Sequence, residues 1–344
     1  MTQLSGRTPD DALRVYELPQ FVRLRSGVVA VCFPLMKLLV ARHIIDHALA
    51  NGMIRPGTRV LETTSGTFGL GLAQVCAVRG LPLTLVTDPV VDESFRNKLE
   101  ALGADIDIVE HPAAEGGYQR SRLDRLEQLR NNEPDAFVPE QYANPQNPAA
   151  YGSVADLITE HVGRVDHLVG CVGSGGSMCG LSAGLRRSQS TLDVVGVDTH
   201  GSVLFGMQDR PRVLRGLGNS LIPPNVAHEA FTSVHWVNAA EATTATRRLL
   251  REEALFRGPT SGASYLVAQW VKQRNPDDTV VAVMADEGER YLDTVYNPGW
   301  RREHDCVLKQ LPTDPVAVMS PAEAQELGTW SRMKWVSTKA EVAA

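Results

Sequence analysis

Apolar positions along this chain fall into two alternating patterns. Short β-branched runs recur at 58–61, 83–87, 106–109, 167–172, 194–197 and 280–283. Between them, apolar residues return at helical spacing over 68–78, 92–102, 118–130, a stretch ending near Val162, 176–185, and two stretches between Ala239 and Lys272. Runs that are apolar at nearly every position belong to strands covered on both faces. Their alternation with helices therefore predicts βα units and mostly parallel, buried sheets. Pro82 opens the second strand, where a missing N–H is tolerated. The Asn/Pro/Gln-rich stretch from Tyr142 to Pro148 is the natural joint between domains. Beyond Pro298 the periodicity is lost, and that tail reads as an extension that packs late or pairs with another subunit.

Composition narrows the function classes. The 344 residues are 43% hydrophobic and 22% charged, ordinary globular material and enough for two domains. A net charge of -6 without a basic block favours neither nucleic acid nor an anionic membrane. The apolar stretch 28–41 is too short for a span and carries Pro34 and Lys37. The polar N-terminus lacks a secretion layout, so a cytoplasmic location is expected. Five cysteines without a C-x-x-C pair read as small core residues in a reducing compartment, with no metal site. His43 and His47 lie four apart on a helix face, but without a third ligand they read as structural.

Two glycine-rich turns carry the candidate chemistry. Thr64-Ser65-Gly66-Thr67-Phe68-Gly69 and Gly173-Ser174-Gly175-Gly176-Ser177 each follow a strand-like run and enter a helical one. Such a turn offers unpaired backbone N–H groups and the positive end of a helix dipole. Two of them, both rich in hydroxyls, suit a ligand with two anionic ends, a phosphate and a carboxylate. A dinucleotide fingerprint at Gly173-x-Gly175, with Asp198 for the ribose, is disfavoured because Met178 stands where the third glycine belongs. Lys37 is the only one of six lysines set among core residues, Cys32 to Ala41. Burial lowers an amine's pKa and makes it nucleophilic, although a lysine at a helix start can also reach water.

In order along the chain come the embedded Lys37, Thr64-Ser65-Gly66-Thr67, Gln141-Tyr142-x-Asn144-Pro145-x-Asn147 and Gly173 to Ser177. Arg215-Gly216-Leu217-Gly218, Thr260-Ser261-Gly262-Ala263 and Asp286-Glu287-Gly288-Glu289-Arg290-Tyr291 complete the series. This series resembles the cysteine synthase/cystathionine β-synthase family of fold-type II pyridoxal-phosphate enzymes, over roughly Arg14 to Leu292. The resemblance implies an α/β fold of two domains, each with a mostly parallel sheet flanked by helices. A smaller mobile domain would span 41–147, a larger cofactor-binding domain 12–40 plus 148–297, and an extension 298–344. A homodimer is also implied.

The resemblance further implies that Lys37 holds pyridoxal 5'-phosphate as an internal aldimine, with Gly173, Ser174, Gly175, Gly176 and Ser177 cradling its phosphate. Thr64, Ser65, Gly66, Thr67 and Gln141 would grip the substrate carboxylate, while Gly216 and Gly218 let the backbone approach closely. Thr260 would face the pyridine nitrogen. A neutral hydroxyl there cannot keep that nitrogen protonated, which suits β-elimination and β-replacement better than transamination. It could equally serve as a helix cap.

Two departures matter. The polar partners that the family places around its lysine are replaced by Phe33, Leu35, Met36 and Leu38. The Asn expected at the cofactor's ring oxygen is Thr67. The implied function is cysteine synthase-like β-replacement on an activated serine (O-acetyl- or O-phosphoserine) or cysteine through an aminoacrylate; the two departures leave the small nucleophile open between sulfide and another suited to specialised metabolism. A β-elimination lyase and a non-catalytic partner homologue are the alternatives.

Overall fold

The computed structural model describes residues 11–64, 66–89 and 91–335. Its strands are β1 (Gln20–Arg23), β2 (Val29–Cys32), β3 (Val60–Thr63), β4 (Leu83–Thr87), β5 (Ala104–Ile108) and β6 (His167–Cys171), followed by β7 (Asp193–Asp198), β8 (Ser233–Trp236), β9 (Val280–Met284), β10 (Val316–Ala317) and β11 (Ser331–Lys334). Strands β3, β4 and β5 form a small, wholly parallel sheet. The rest form an eight-stranded sheet in the order β1-β2-β9-β6-β7-β8-β11-β10. It is parallel from β2 through β8, with β1 and β11 joining antiparallel.

The central strands read as continuous apolar runs because helices cover both faces. Every residue of Val29–Cys32 and Val280–Met284 is buried. Full burial of each such Val is worth about 1.5–3 kcal/mol, enough to fix the register of strands whose neighbours are equally apolar. The tail beyond Pro298 packs on its own chain: β11 pairs with β8, Ser331 opposite Trp236, and β10 pairs with β11. The buried Trp330 anchors this edge, its indole N–H donating to His235 Nδ1 at 3.2 Å.

Helix Met36–Ala50 leaves β2 at the carboxyl end of the parallel strands. Its entry is pinned to β9, with Phe33 N–H donating to Met284 O at 2.9 Å and Met36 N–H to Ala285 O at 2.8 Å. Helix Thr67–Arg79 crosses it closely: a Cβ on Gly71 would stand 2.9 Å from Lys37 O and 3.1 Å from Leu38 Cα. Glycine is the residue that admits this approach. The first turn of Met36–Ala50 is thereby held rigid on both sides.

Candidate active site

The loops at the carboxyl ends of β3, β6 and β9 enclose one cavity of about 620 Å³, where open parallel sheets characteristically place their ligands. It brings together Lys37, Thr64, Gly66, Thr67, Gln141, Gly173, Ser174, Ser177, Gly216, Gly218 and Thr260, residues expected at a site from sequence. Gly175 and Gly176 lie within the same turn as Gly173 and Ser174. Ser65 lies outside the described residues.

Lys37 is half-buried in the first turn of its helix, and its Nζ donates to Ser174 Oγ at 3.0 Å. Burial pushes its ammonium down to about 8, with no carboxylate paired to it among the described residues. The sign is that of a base: below that value the amine is charged, above it neutral and nucleophilic. We therefore expect capture of a small aldehyde by the apoprotein at Lys37 to rise with pH about a midpoint near 8. Reductive labelling with peptide mapping across a pH series measures it, and a midpoint near that of an exposed lysine would contradict this burial effect.

The Gly173–Ser177 turn is built to receive an anion. Helix Gly176–Leu185 starts at Gly175, φ +83°, without a side-chain cap hydrogen bond among the described residues, which leaves its first-turn N–H groups available to an anion. Ser174 Oγ accepts from Lys37 and also from Asn147 Nδ2 at 3.2 Å, so its own O–H remains a donor without an acceptor among the described residues. Asn147, wholly buried, also donates to Gln141 O at 2.5 Å. Gln141 N–H in turn donates to the buried Glu62 carboxylate at 3.2 Å. Burial pushes Glu62 up to about 7, opposed by its backbone hydrogen bonds from Thr63 and Gln141. One hydrogen-bonded chain thus runs from β3 through Gln141, Asn147 and Ser174 to Lys37.

On the far wall Thr260 Oγ1 is buried without a hydrogen-bond partner among the described residues. Leaving a hydroxyl so costs about 1–3 kcal/mol, and a ring nitrogen in the cavity would relieve it. Cys171 Sγ donates to Thr260 O at 3.1 Å; burial raises this thiol to about 12 and keeps it neutral. Gly216 and Gly218 take φ of +75° and +74°. Together the uncapped helix start, the spare Ser174 donor, the orphaned Thr260 hydroxyl and the deprotonable Lys37 fit the phosphate, ring and aldehyde of pyridoxal phosphate.

The first glycine turn is arranged differently from the expectation that all its hydroxyls face substrate. Thr64 Oγ1 accepts the N–H groups of Gly66 at 3.1 Å and Gly69 at 3.2 Å, so it holds the turn in shape. Gln141 Nε2 donates to Thr63 O at 3.3 Å. Asp198 lies wholly buried beneath Gly218, and burial pushes its carboxyl up to about 7. Sequence reasoning gave no roles to Asp88, Arg122, Arg210 and Arg212, which line the cavity. The signal available was the crowding of Arg210, Arg212 and Arg215 into six residues.

This is the architecture of a vitamin B6-dependent enzyme, and the chain belongs to the pyridoxal-phosphate dependent enzyme family, whose model matches residues 36–286. Pyridoxal phosphate is its cofactor. Among relatives, the chain is 36% identical over 295 residues to the N-(2-amino-2-carboxyethyl)-L-glutamate synthase of Ralstonia nicotianae, covering 82% of this chain and 87% of that one. It is 35% identical to the protein of the same name from Cupriavidus metallidurans, covering 82% and 85%. In fold it is similar to cysteine synthase from Entamoeba histolytica, with a TM-score of 0.78 at 24% identity, covering 86% of this chain and 93% of that one. No helix among the described residues is long and apolar enough to cross a membrane.

Proposed function

We propose that this enzyme catalyses β-replacement, joining an amino-acid nucleophile to the β-carbon of an activated serine. The observation that carries this reading is the pairing of a deprotonable Lys37 with a neutral, unpartnered Thr260 hydroxyl across one cavity. Bound there, pyridoxal phosphate supplies an electron sink, and a hydroxyl at the ring nitrogen keeps that sink weak enough to favour loss of a β-group. Gly173 to Ser177 hold its phosphate, and Thr67 and Thr260 contact the ring. Gly66, Thr67 and Gln141, with Ser65, receive the substrate carboxylate, while Gly216 and Gly218 keep the approach open. Thr64 shapes that loop.

Lys37 Nζ takes the Cα proton and later returns it. The Cβ–O bond of the donor breaks, and the leaving group carries away the electron pair. The nucleophile then bonds to Cβ and gives up a proton. The printed name of the two relatives describes glutamate whose nitrogen carries a 2-amino-2-carboxyethyl group, which is a bond of this kind. The loss of polar residues around Lys37 supports a nucleophile other than sulfide.

In this reading 41–147 closes on 12–40 plus 148–297 and excludes water, which protects the reaction from diversion to pyruvate. All five cysteines are free and four are buried, which supports a cytoplasmic enzyme. A homodimer is the assembly we expect, read out by light scattering. Mixing the holoenzyme with O-acetyl- or O-phospho-L-serine should change its visible absorbance. Adding an amine nucleophile should then restore the starting spectrum with release of the coupled product. Immediate stoichiometric pyruvate, undiverted by any amine or thiol, would instead make it a lyase.

A further inference from the structure

A second cavity, of about 500 Å³, lies between helix Ala239–Glu253, helix Pro259–Arg274 and the tail segment 308–313. Arg247 and Arg251, one turn apart on the first helix, line it beside Arg248, and Lys309 closes it from the tail. The second helix adds no charge to the lining; its Leu266 and Trp270 form an apolar wall. Glu252 is the one acidic side chain in the lining, and both of its oxygens are engaged. One accepts from Arg248 Nε at 2.8 Å, the other from Tyr265 O–H at 2.9 Å. Asp314, at the edge of the cavity, is held by Arg274 and by Trp270 Nε1. The side chains of Arg247, Arg251 and Lys309 make no hydrogen bond or ion pair among the described residues.

This charge is uncompensated from behind as well. Arg301, 7% exposed in helix Pro298–Glu303, donates from Nε to Asn297 O at 3.3 Å and meets no carboxylate among the described residues. Burial, then repulsion from Arg301 and Arg251, holds the Arg247 guanidinium below its ordinary value. Burial, then repulsion from Arg251 and Arg302, does the same to Arg301. The helix dipole accounts for Arg251, which stands in the last turn of its helix, but not for Arg247. Like charges one helical turn apart are unfavourable, and here an anion in the cavity would offset them.

The arrangement also selects the anion. Two guanidinium forks and an ammonium reach the cavity from two segments of the chain. A planar carboxylate is satisfied by one fork, whereas a phosphate presents three acceptor oxygens and up to two charges. A volume of about 500 Å³ is room for an organic group beyond the phosphate, and the Leu266 and Trp270 wall suits it.

We propose that Arg247, Arg251 and Lys309 form a binding site for a phosphorylated small molecule, separate from the catalytic cavity. Its occupant ties the tail to helix Ala239–Glu253. The site is also one packing step from the chemistry. A Cβ on Gly262 would fall on Thr246, so the helix carrying Arg247 bears directly on the first turn of the helix that presents Thr260.

The test uses the holoenzyme, whose phosphate cradle is filled, at a constant ionic strength of about 0.15 M. Inorganic pyrophosphate is the probe, with sulfate and malonate for comparison. Calorimetry should show one pyrophosphate site, at least about tenfold tighter than either comparison anion. Arg251 and Lys309 are exposed, so Arg251→Gln and Lys309→Gln should fold and turn over as the native enzyme does. Each should weaken pyrophosphate by about tenfold, the scale of one charge-assisted contact. Arg210→Gln, on the wall of the catalytic cavity, should leave that affinity unaltered. Amide exchange across 308–313 should slow with pyrophosphate in the native protein and not in Arg251→Gln.

Absence of binding by the native holoenzyme would overturn the site, whether water alone or a second copy of the chain covers the cations. Affinity lost in Arg210→Gln and kept in Arg251→Gln would overturn it by moving pyrophosphate to the catalytic cavity. Equal binding of sulfate would reduce the cluster to an adventitious ion only, and equal binding of malonate would overturn the choice of phosphate. None of these results bears on β-replacement at Lys37.

Discussion

Lys37→Ala should lower turnover by about a thousandfold or more, because in the proposed mechanism one amine both anchors the cofactor and moves the Cα proton. The fold should survive. Lys37 is half-buried at the cavity wall, and truncation removes a costly desolvated ammonium while the apolar face of its helix stays packed. The variant should still bind pyridoxal phosphate noncovalently, since the Gly173–Ser177 turn and Thr260 are untouched. Borohydride treatment of the native holoenzyme, followed by peptide mapping, should place the pyridoxyl group on the peptide carrying Lys37. A label on Lys98, Lys272 or any other lysine would sink the assignment. So would retention of turnover by the variant. An external amine should restore part of the proton-transfer step without restoring the covalent anchor, which separates the two duties of the side chain.

The parts of this molecule that could be read from sequence are those whose cause is local. The strands at 83–87, 167–171 and 280–284 are buried at nearly every position because helices cover both faces, and the mostly apolar residues this selects show in the sequence itself. The helix at 176–185 agrees to the residue because glycine at 175 and 176 announces its start. Edge elements were not legible. The tail strand Ser331–Lys334 has a mixed burial pattern, and only its pairing with β8 makes it a strand. β1 is likewise half-exposed and owes its form to β2.

At the site, Lys37 and both glycine turns stood out because a lysine in a core and a glycine at a helix start each break a local rule. The spent hydroxyl of Thr64 could not be foreseen, since a threonine in such a turn can face either its own backbone or a ligand. The meeting of Arg122 and Arg215 on Asp88 could not be foreseen for a different reason: helix Gly117–Asn132 and the turn before Gly216 are far apart in sequence, and only the fold brings the two guanidinium groups to one carboxylate.

Gly176→Ala should remove cofactor binding almost as effectively as loss of the lysine removes turnover. A Cβ at this position would fall directly on the Asn147 side chain, which is wholly buried and tied to Gln141 and Ser174. Asn147 cannot give way without releasing Ser174 and the backbone of Gln141, so the clash passes into both ends of the site at once. Overpacking of this kind costs about 1–3 kcal/mol of stability. The loss of cofactor affinity should be larger than the fall in melting temperature suggests, because the methyl group also displaces the first N–H groups of helix Gly176–Leu185.

Asn147→Ala supplies the control. Alone it should weaken both cofactor retention and donor binding by removing the link between Ser174 and Gln141. Combined with Gly176→Ala it should cost less than the sum of the two, since the alanine at 147 vacates the space the new methyl needs. Cofactor titration by absorbance and thermal melting of all four proteins measure the coupling. Strict additivity would show that Gly176 and Asn147 act separately and that the cradle tolerates a side chain there.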